Sequence, residues 1–129
     1  MERQPVLQTA FEGRNGKWAC LARAREQQQQ MVFYSIFPVN VPEHKLMAVA
    51  EFLTRANSGM ILGNLELDFT EGGISYKTSI DVEGDRLSFA LIKRLVYANV
   101  TMMDEYWSGI MSVIYGGVEA REAIASIES

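Results

Sequence analysis

The chain has 129 residues, 48% of them hydrophobic and 22% charged, and a formal net charge of −4. This length and composition are typical of one globular domain, which we place over residues 1–129, and they exclude a disordered chain. The apolar runs, such as residues 31–37, have strand length and fall short of the ~20 residues that span a membrane. Residues 1–5 lack a secretory leader pattern, so we expect a cytoplasmic protein without a membrane partner.

Residue types that carry reaction chemistry are scarce. Cys20 is the only cysteine and His44 the only histidine, which excludes an internal disulfide and leaves Cys-His and Ser-His-Asp sets without local support. His44 lies between Glu43 and Lys45 at the predicted start of a helix, where a surface role is the ordinary one. Cys20 is interpreted as a small buried hydrophobe. We therefore expect no catalytic, metal-binding or cofactor-binding residues, and no enzyme.

Three strands are predicted near the start of the chain. Residues 6–12 form the first, and the Asn15-Gly16 pair after it predicts a type I′ turn, which needs positive φ at both central positions. Residues 17–25 have high helix propensity, but the turn before them and their period-two apolar set favour a strand. Residues 30–37 form the third strand, which is almost wholly apolar, so we expect both of its faces to be partly covered.

A helix is predicted over residues 43–57, because apolar residues such as Val49 and Leu53 recur at helical spacing. Pro42 suits its first turn, and Gly59 follows its end.

Two alternating strands, residues 64–69 and 74–82, flank a glycine pair. Their period of two places one face of each strand in the core and the other in water or against a partner. The inward residues are Leu65, Leu67, Tyr76 and Ile80, and the outward residues are Glu66, Asp68, Lys77 and Asp81.

The last third of the chain is predicted to be helical. Residues 87–115 contain no proline and one glycine, Gly109. Their apolar stripe shifts phase near residues 99–101, which leaves one long bent helix and two consecutive helices as alternatives. Asp85 is the predicted N-cap of this region, and residues 118–127 form a short amphipathic helix after a second glycine pair.

The predicted order of elements is therefore βββ-α-ββ-α(α)-α. Strands joined in hairpins give a five-stranded, largely antiparallel sheet, and helices with one apolar stripe pack on one of its faces. The predicted fold class is α+β.

The outward carboxylates of the second hairpin suggest an alternative function. Cross-strand neighbours lie about 5 Å apart, so Glu66, Asp68 and Asp81 could bind a divalent ion or perform acid–base chemistry. On this alternative, the protein is a small-molecule or metal-binding enzyme that uses the acidic outward face of residues 64–82. Lys77 shares that face, however, and a mixed polar face in solvent is the simpler interpretation.

Four basic residues near the start of the chain could contact nucleic acid: Arg14, Lys17, Arg23 and Arg25. Nucleic-acid binding normally requires a clustered positive surface, whereas this chain is negative overall. We interpret the basic residues as part of a solvated strand face and expect no nucleic-acid partner.

Methionine and aromatic residues are enriched in the predicted long helix beyond what is needed to cover one sheet face. Core packing explains such residues in general, but these span more than one face of the helix. The surplus forms a candidate interaction surface. Its residues are Met102, Met103, Tyr106, Trp107, Met111 and Tyr115.

Four segments carry a family resemblance: GNLELD (residues 63–68), GGISYKTSID (72–81), DEYW (104–107) and VIYG (113–116). Together they resemble the YbjN-like bacterial and cyanobacterial proteins, over residues 18–117. Some of those proteins are described as candidate sensory transduction regulators. The resemblance implies a fold similar to that of type III secretion chaperones, which are often dimeric, and it implies no catalytic residues.

Proteins with that fold usually begin with a helix before the first strand, whereas residues 1–5 alone precede Val6 here. Either the helix is missing or the chain starts inside a longer protein. Its loss would leave part of a sheet face uncovered and favour an oligomer. We therefore expect a non-catalytic protein-interaction module, chaperone-like or regulatory, that acts as a homodimer and binds an unidentified protein partner.

Overall fold

The computed structural model describes residues 6–128. Their five strands are β1 (Val6–Glu12), β2 (Lys17–Arg25), β3 (Gln30–Ile36), β4 (Asn64–Leu67) and β5 (Ile74–Asp81). A 3-10 turn over Glu43–Lys45 leads into α1 (Leu46–Ser58), and the remaining helices are α2 (Phe89–Tyr115) and α3 (Ala120–Glu128). The predicted α+β order is confirmed. The expectation about a helix before Val6 concerns residues 1–5, which lie outside the described residues.

The strands form one sheet in the order β1-β2-β3-β5-β4, and every neighbouring pair is antiparallel. The predicted antiparallel sheet is therefore confirmed, with β1 and β4 as its edges. The strand prediction for residues 17–25 is also confirmed, although those residues have high helix propensity. Pairing with β1 and β3 on both sides outweighs that local preference.

The helices lie on one face of the sheet. Helix α2 crosses β3 and β5, α1 lies beside β4, and α3 packs on α1 and α2. The opposite face, which we call the open sheet face, carries the outward side chains of the strands and has no helix against it within residues 6–128. None of the helices in that range has the combined length and apolar character that crossing a bilayer requires.

The core contains the inward side chains of the sheet and the inner sides of the helices. Trp18, Phe33 and Tyr76 are buried in the sheet layer, with Phe52 and Ile110 against them in the helical layer. The alternation predicted for the second hairpin is reproduced in part: Leu65 and Tyr76 are buried, Leu67 and Ile80 are half-buried, and β4 ends at Leu67 instead of continuing to residue 69. On β3, covering of the outward face is partial, because Val32 and Tyr34 are half-buried while Ile36 is 40% exposed.

Asn99 makes polar contacts between α2 and the sheet, beside the hydrogen bond from the Thr78 hydroxyl to the Leu95 carbonyl at 3.1 Å. Its fully buried side-chain amide donates to the carbonyls of Phe33 and Tyr76, each at 2.9 Å, and lies 3.1 Å from the hydroxyl of Thr78. These bonds fix the position of α2 over β3 and β5. The helix is continuous, which decides between the two alternatives at residues 99–101. Its apolar stripe shifts because Tyr106 and Gly109, in its C-terminal half, lie against Phe52 of α1 and against α3.

Two local predictions are wrong. Ser88, not Asp85, caps α2: its hydroxyl accepts from the Leu91 N–H at 3.2 Å. Asn15 and Gly16 do not have positive φ, so the β1–β2 turn is not type I′. The Gly13 N–H donates to the Gly16 carbonyl at 2.8 Å, which makes Arg14 and Asn15 the central residues of the turn.

The β1–β2 turn is held by a side chain of α2. The carboxylate of Asp104 accepts from the backbone N–H groups of Arg14 and Asn15, at 3.0 and 2.9 Å. Glycines allow this approach, because a Cβ on Gly13 would overlap Asp104 and a Cβ on Gly16 would overlap the ring of Trp107. The turn is therefore shaped by tertiary contacts, and α2 positions the tip of the hairpin.

Candidate interaction surface

The six residues predicted as an interaction surface all lie on α2 but differ in exposure. Met103 and Tyr106 are 0% and 4% exposed and belong to the core, so they offer no area to a partner in this structure. Met102, Trp107 and Met111 are half-buried, and Tyr115 is 65% exposed. The accessible residues Trp107, Met111 and Tyr115 follow one another at intervals of four and share one side of the helix. We call these three residues the α2 stripe.

Trp107 anchors the α2 stripe in the core. Its ring centroid lies 4.6 Å from that of Phe37 and 5.5 Å from that of Trp18, and Phe11 extends the cluster at 5.3 Å from Trp18. Centroid distances in this range are typical of favourable aromatic pairs. β1, β2 and the residue after β3 each contribute a ring to this cluster. The Trp107 end of the α2 stripe is therefore packed against the sheet.

Tyr106 joins the end of α3 to α2 instead of facing a partner. Its hydroxyl donates to Oε2 of Glu128 at 2.7 Å. Burial, followed by the hydrogen bond to the Glu128 carboxylate, raises the pKa of Tyr106 far above its ordinary value. The hydroxyl therefore stays protonated in any physiological medium and serves as a fixed donor.

The carboxylates of the second hairpin are engaged separately. Glu66 Oε2 lies 3.0 Å from Lys77 Nζ, a contact that raises the pKa of Lys77. Asp81 accepts from the Gln30 side chain at 2.9 Å and from the Glu83 N–H at 2.9 Å, and these bonds lower its pKa. Asp68 accepts from the Thr70 N–H at 2.8 Å.

These carboxylates do not converge on one point. Glu66 is opposite Ser75, and Asp81 follows Ser75 by six positions, which is about 20 Å along an extended strand. Within residues 6–128, no group of three or more His, Cys, Asp and Glu side chains has the geometry to hold a metal ion. Each outward charge of this hairpin is instead paired with a neighbouring group on a polar face in solvent.

The basic residues are similarly dispersed. Arg14 lies in the β1–β2 turn, whereas Lys17, Arg23 and Arg25 lie along the open sheet face. Arg25 donates to the Gln30 side chain at 2.8 Å, and Gln30 in turn donates to Asp81. Acidic and basic groups share the open sheet face, as in the bonds from Arg25 through Gln30 to Asp81 and in the Lys77–Glu66 pair, which is unlike the clustered positive patch typical of nucleic-acid binding.

Cys20 and His44 lie where their residue types are ordinarily found. Cys20 is 2% exposed on the inward face of β2, with its Sγ 3.8 Å from Oγ of Ser35. Burial raises the pKa of its thiol, which disfavours the reactive thiolate. His44 is exposed in the 3-10 turn before α1. The prediction that Cys20 is a buried hydrophobe is confirmed.

Further apolar side chains that the sequence did not predict as part of a surface are exposed, some on β1 and some on α2. On β1, Val6 and Leu7 are 50% and 67% exposed. On α2, Phe89 and Tyr97 are 80% and 70% exposed. Alternation along β1 predicts a strand, but it does not reveal that β1 is an edge, since strand order is set by pairings between distant segments.

A depression of about 820 Å³ lies on α2 between the β1–β2 turn and the end of α3. Its polar lining includes Thr101, Glu105 and Ser108, together with Asp104, whose carboxylate is already bonded to the turn. No residue of the α2 stripe lines it. The depression and the stripe are therefore separate features.

These features together define a small α+β domain with helices on one face of a five-stranded antiparallel sheet and an open opposite face. The family model YbjN, described as "Putative bacterial sensory transduction regulator", matches residues 2–110. This match covers well over half of the chain, and the protein belongs to the YbjN family. The expected family resemblance is thus confirmed. Comparisons with curated proteins and with solved structures gave no match.

Proposed function

We propose that this protein is a non-catalytic protein-interaction module, chaperone-like or regulatory, that acts as a homodimer in the cytoplasm. Membership of a family described as regulators supports the regulatory part. The partner is a protein, since the accessible surface offers apolar and aromatic side chains, which are enriched at protein interfaces. Dispersed charge on the open sheet face argues against nucleic acid.

The observation that carries the proposal is the α2 stripe. Tyr115 is 65% exposed at the end of a 27-residue helix, next in line to the half-buried Met111 and Trp107. Aromatic side chains commonly anchor protein interfaces. Where packing already orders such side chains in the free protein, little conformational entropy is lost on binding. Trp107 is ordered in this way by its contacts with Trp18 and Phe37.

A homodimer is proposed because large apolar side chains stand in solvent in several places on a small domain. Leu7, Phe89 and Tyr97 are each more than half exposed. Leu7 lies with the exposed Val6 on an edge strand of the sheet, and an exposed apolar edge strand is a common site of contact with another chain.

The test is affinity capture from the native cytoplasm with wild-type protein and with Tyr115→Ala. Tyr115 is exposed, so its truncation is expected to leave stability within about 0.5 kcal/mol of wild type. We expect a partner that wild-type protein retains and Tyr115→Ala loses.

Phe69→Ala is the matched control, because Phe69 is an aromatic residue that is 57% exposed away from α2. The control should retain the same partner. Equal recovery by all three proteins would overturn the assignment of binding to the α2 stripe.

A further inference from the structure

The two edges of the sheet differ in how their outer backbone groups are used. At β4, the Leu65 N–H donates to Asn57 Oδ1 at 2.7 Å, and the Leu65 carbonyl accepts from Asn57 Nδ2 at 2.9 Å. A side chain of α1 thus takes the hydrogen bonds that a further strand would make. Leu65, in the middle of the four residues of β4, is therefore not free to pair with a further strand.

The β1 edge is open. In an antiparallel pair, hydrogen-bonded and non-hydrogen-bonded residue pairs alternate. The Gly13 N–H donates to the Gly16 carbonyl, so Gly13 and Gly16 are a hydrogen-bonded pair, and the odd-numbered residues of β1 also exchange hydrogen bonds with β2. The N–H and C=O groups of the even-numbered residues therefore point away from the sheet, and no described residue bonds to them. These residues are Val6, Gln8, Ala10 and Glu12.

Strand β1 also lacks the features that normally protect an edge. Protected edges carry lysine, proline or a bulge, or are very short. β1 has seven residues in unbroken register with β2, contains no lysine, arginine or proline, and has its one charge at the end, at Glu12. Val6 and Leu7 are 50% and 67% exposed. This edge has the properties of a pairing surface.

We propose that β1 pairs antiparallel with β1 of a second copy of this chain, so that the two five-stranded sheets become one continuous sheet. The proposal rests on the homodimer of the proposed function and names its interface. We take a second copy of the chain as the partner of this edge because β1 is complementary in sequence to an antiparallel copy of itself.

One register uses all of the outward backbone groups. It places Val6 opposite Glu12 of the second copy and Gln8 opposite Ala10, with Thr9 on the twofold axis facing its own counterpart. No charged residue of β1 then faces a like charge. On the helix-bearing face, the exposed Leu7 lies opposite Phe11, an apolar pair at a non-hydrogen-bonded position, where side chains are closest.

The register is tested by disulfide trapping at Thr9. Non-hydrogen-bonded partners have Cα atoms about 4.5 Å apart, within the range that a disulfide spans. Because Cys20 is opposite Thr9 within one chain, the experiment uses Thr9→Cys in a Cys20→Ala background. We expect a covalent dimer on non-reducing electrophoresis after mild oxidation. Thr70→Cys in the same background is the control, since Thr70 is exposed far from this edge, and it should stay monomeric on the gel.

Gln8→Pro tests the same edge without a cysteine. Proline removes the outward N–H of Gln8 but no bond to β2, so the fold should be retained, as circular dichroism would verify. By symmetry two intermolecular hydrogen bonds are lost, and dimerisation should weaken by about tenfold or more, whereas Gln8→Ala should dimerise like wild type.

The outcomes separate this inference from the proposed homodimer. A wild-type dimer in light scattering that is neither trapped through Thr9 above the control level nor weakened by Gln8→Pro would overturn the β1 interface and leave the homodimer standing. A wild-type monomer at every concentration would overturn both. Trapping through Thr9 together with the effect of Gln8→Pro would support both.

Discussion

Asp104 and Asn15 bind each other twice, although 89 residues separate them in the chain. The Asp104 carboxylate accepts from the backbone N–H of Asn15 at 2.9 Å, and the side-chain amide of Asn15 donates to the Asp104 carbonyl at 3.0 Å. A third bond, from the Arg14 N–H to the carboxylate, completes the clamp. The middle of α2 thereby holds the hairpin that carries the β1 edge.

Removing the clamp should loosen the hairpin. Asp104→Ala deletes a charged acceptor with two backbone donors, and we expect the free energy of unfolding to fall by about 1–3 kcal/mol. Urea denaturation measures this change. Glu105→Ala, the exposed neighbour, should stay within about 0.5 kcal/mol of wild type. Equal denaturation midpoints for the two variants would contradict the role of the clamp.

The close approach of the turn to α2 should not tolerate a side chain at Gly16. In Gly16→Ala the new methyl group would overlap the ring of Trp107, and relief of that overlap should cost about 1–3 kcal/mol. Gly59→Ala is the matched control, because Gly59 has a φ of −100° and no neighbouring atom lies within 4 Å of the place its new methyl group would take. Thermal unfolding should show a lower midpoint for Gly16→Ala alone; a similar drop at Gly59 would contradict the account.

The buried side-chain amide of Asn99 should stabilise the folded state mainly through its hydrogen bonds. Asn99→Ala removes the donors to Phe33 and Tyr76, and an expected loss of about 1–3 kcal/mol follows from hydrogen bonding. Asn99→Asp should lose more at neutral pH, since a buried carboxylate would face two carbonyl oxygens. Its stability should recover partly in acid, where the neutral carboxyl is restored. Denaturant curves at several pH values that show no such recovery would argue against this buried contact.

Alkaline pH should destabilise the fold through its buried tyrosines. Burial raises the pKa of both Tyr76 and Tyr106 above the value in the unfolded chain. The neutral forms are therefore favoured in the folded state, so their stabilising contribution is complete below about pH 10 and is lost as the pH rises further. Urea midpoints measured between about pH 8 and pH 11 should fall at the upper end. If a spectroscopic titration showed every tyrosine ionising near the ordinary tyrosine pKa, the raised pKa values of Tyr76 and Tyr106 would be refuted.

Much of the fold is predictable because its signals are local. Alternation in residues 64–82 depends on neighbouring residues alone, and the structure has both strands, with Leu65 and Tyr76 buried, although the first strand ends two residues earlier than predicted. The β1–β2 turn is not predictable in this way, because its conformation depends on Asp104 in a distant helix. For the same reason an Asn15-Gly16 pair, a strong signal in isolated hairpins, gives the wrong turn type here.

The candidate surface was predictable in part. Residue type identifies α2 as rich in methionine and aromatic side chains, but which of them face solvent depends on how α1 and α3 pack around the helix. Tyr106 is buried beside Phe52 of α1 and bonded to Glu128 of α3, and Met103 is buried in the core, whereas Tyr115 is exposed. The open β1 edge depends on strand order, which no local pattern encodes.

Association of two copies of this chain can be measured by light scattering coupled to size exclusion over a range of protein concentrations. We expect a mass that rises with concentration to twice the 14.5 kDa of one chain. A constant mass of one chain at all concentrations would contradict this expectation.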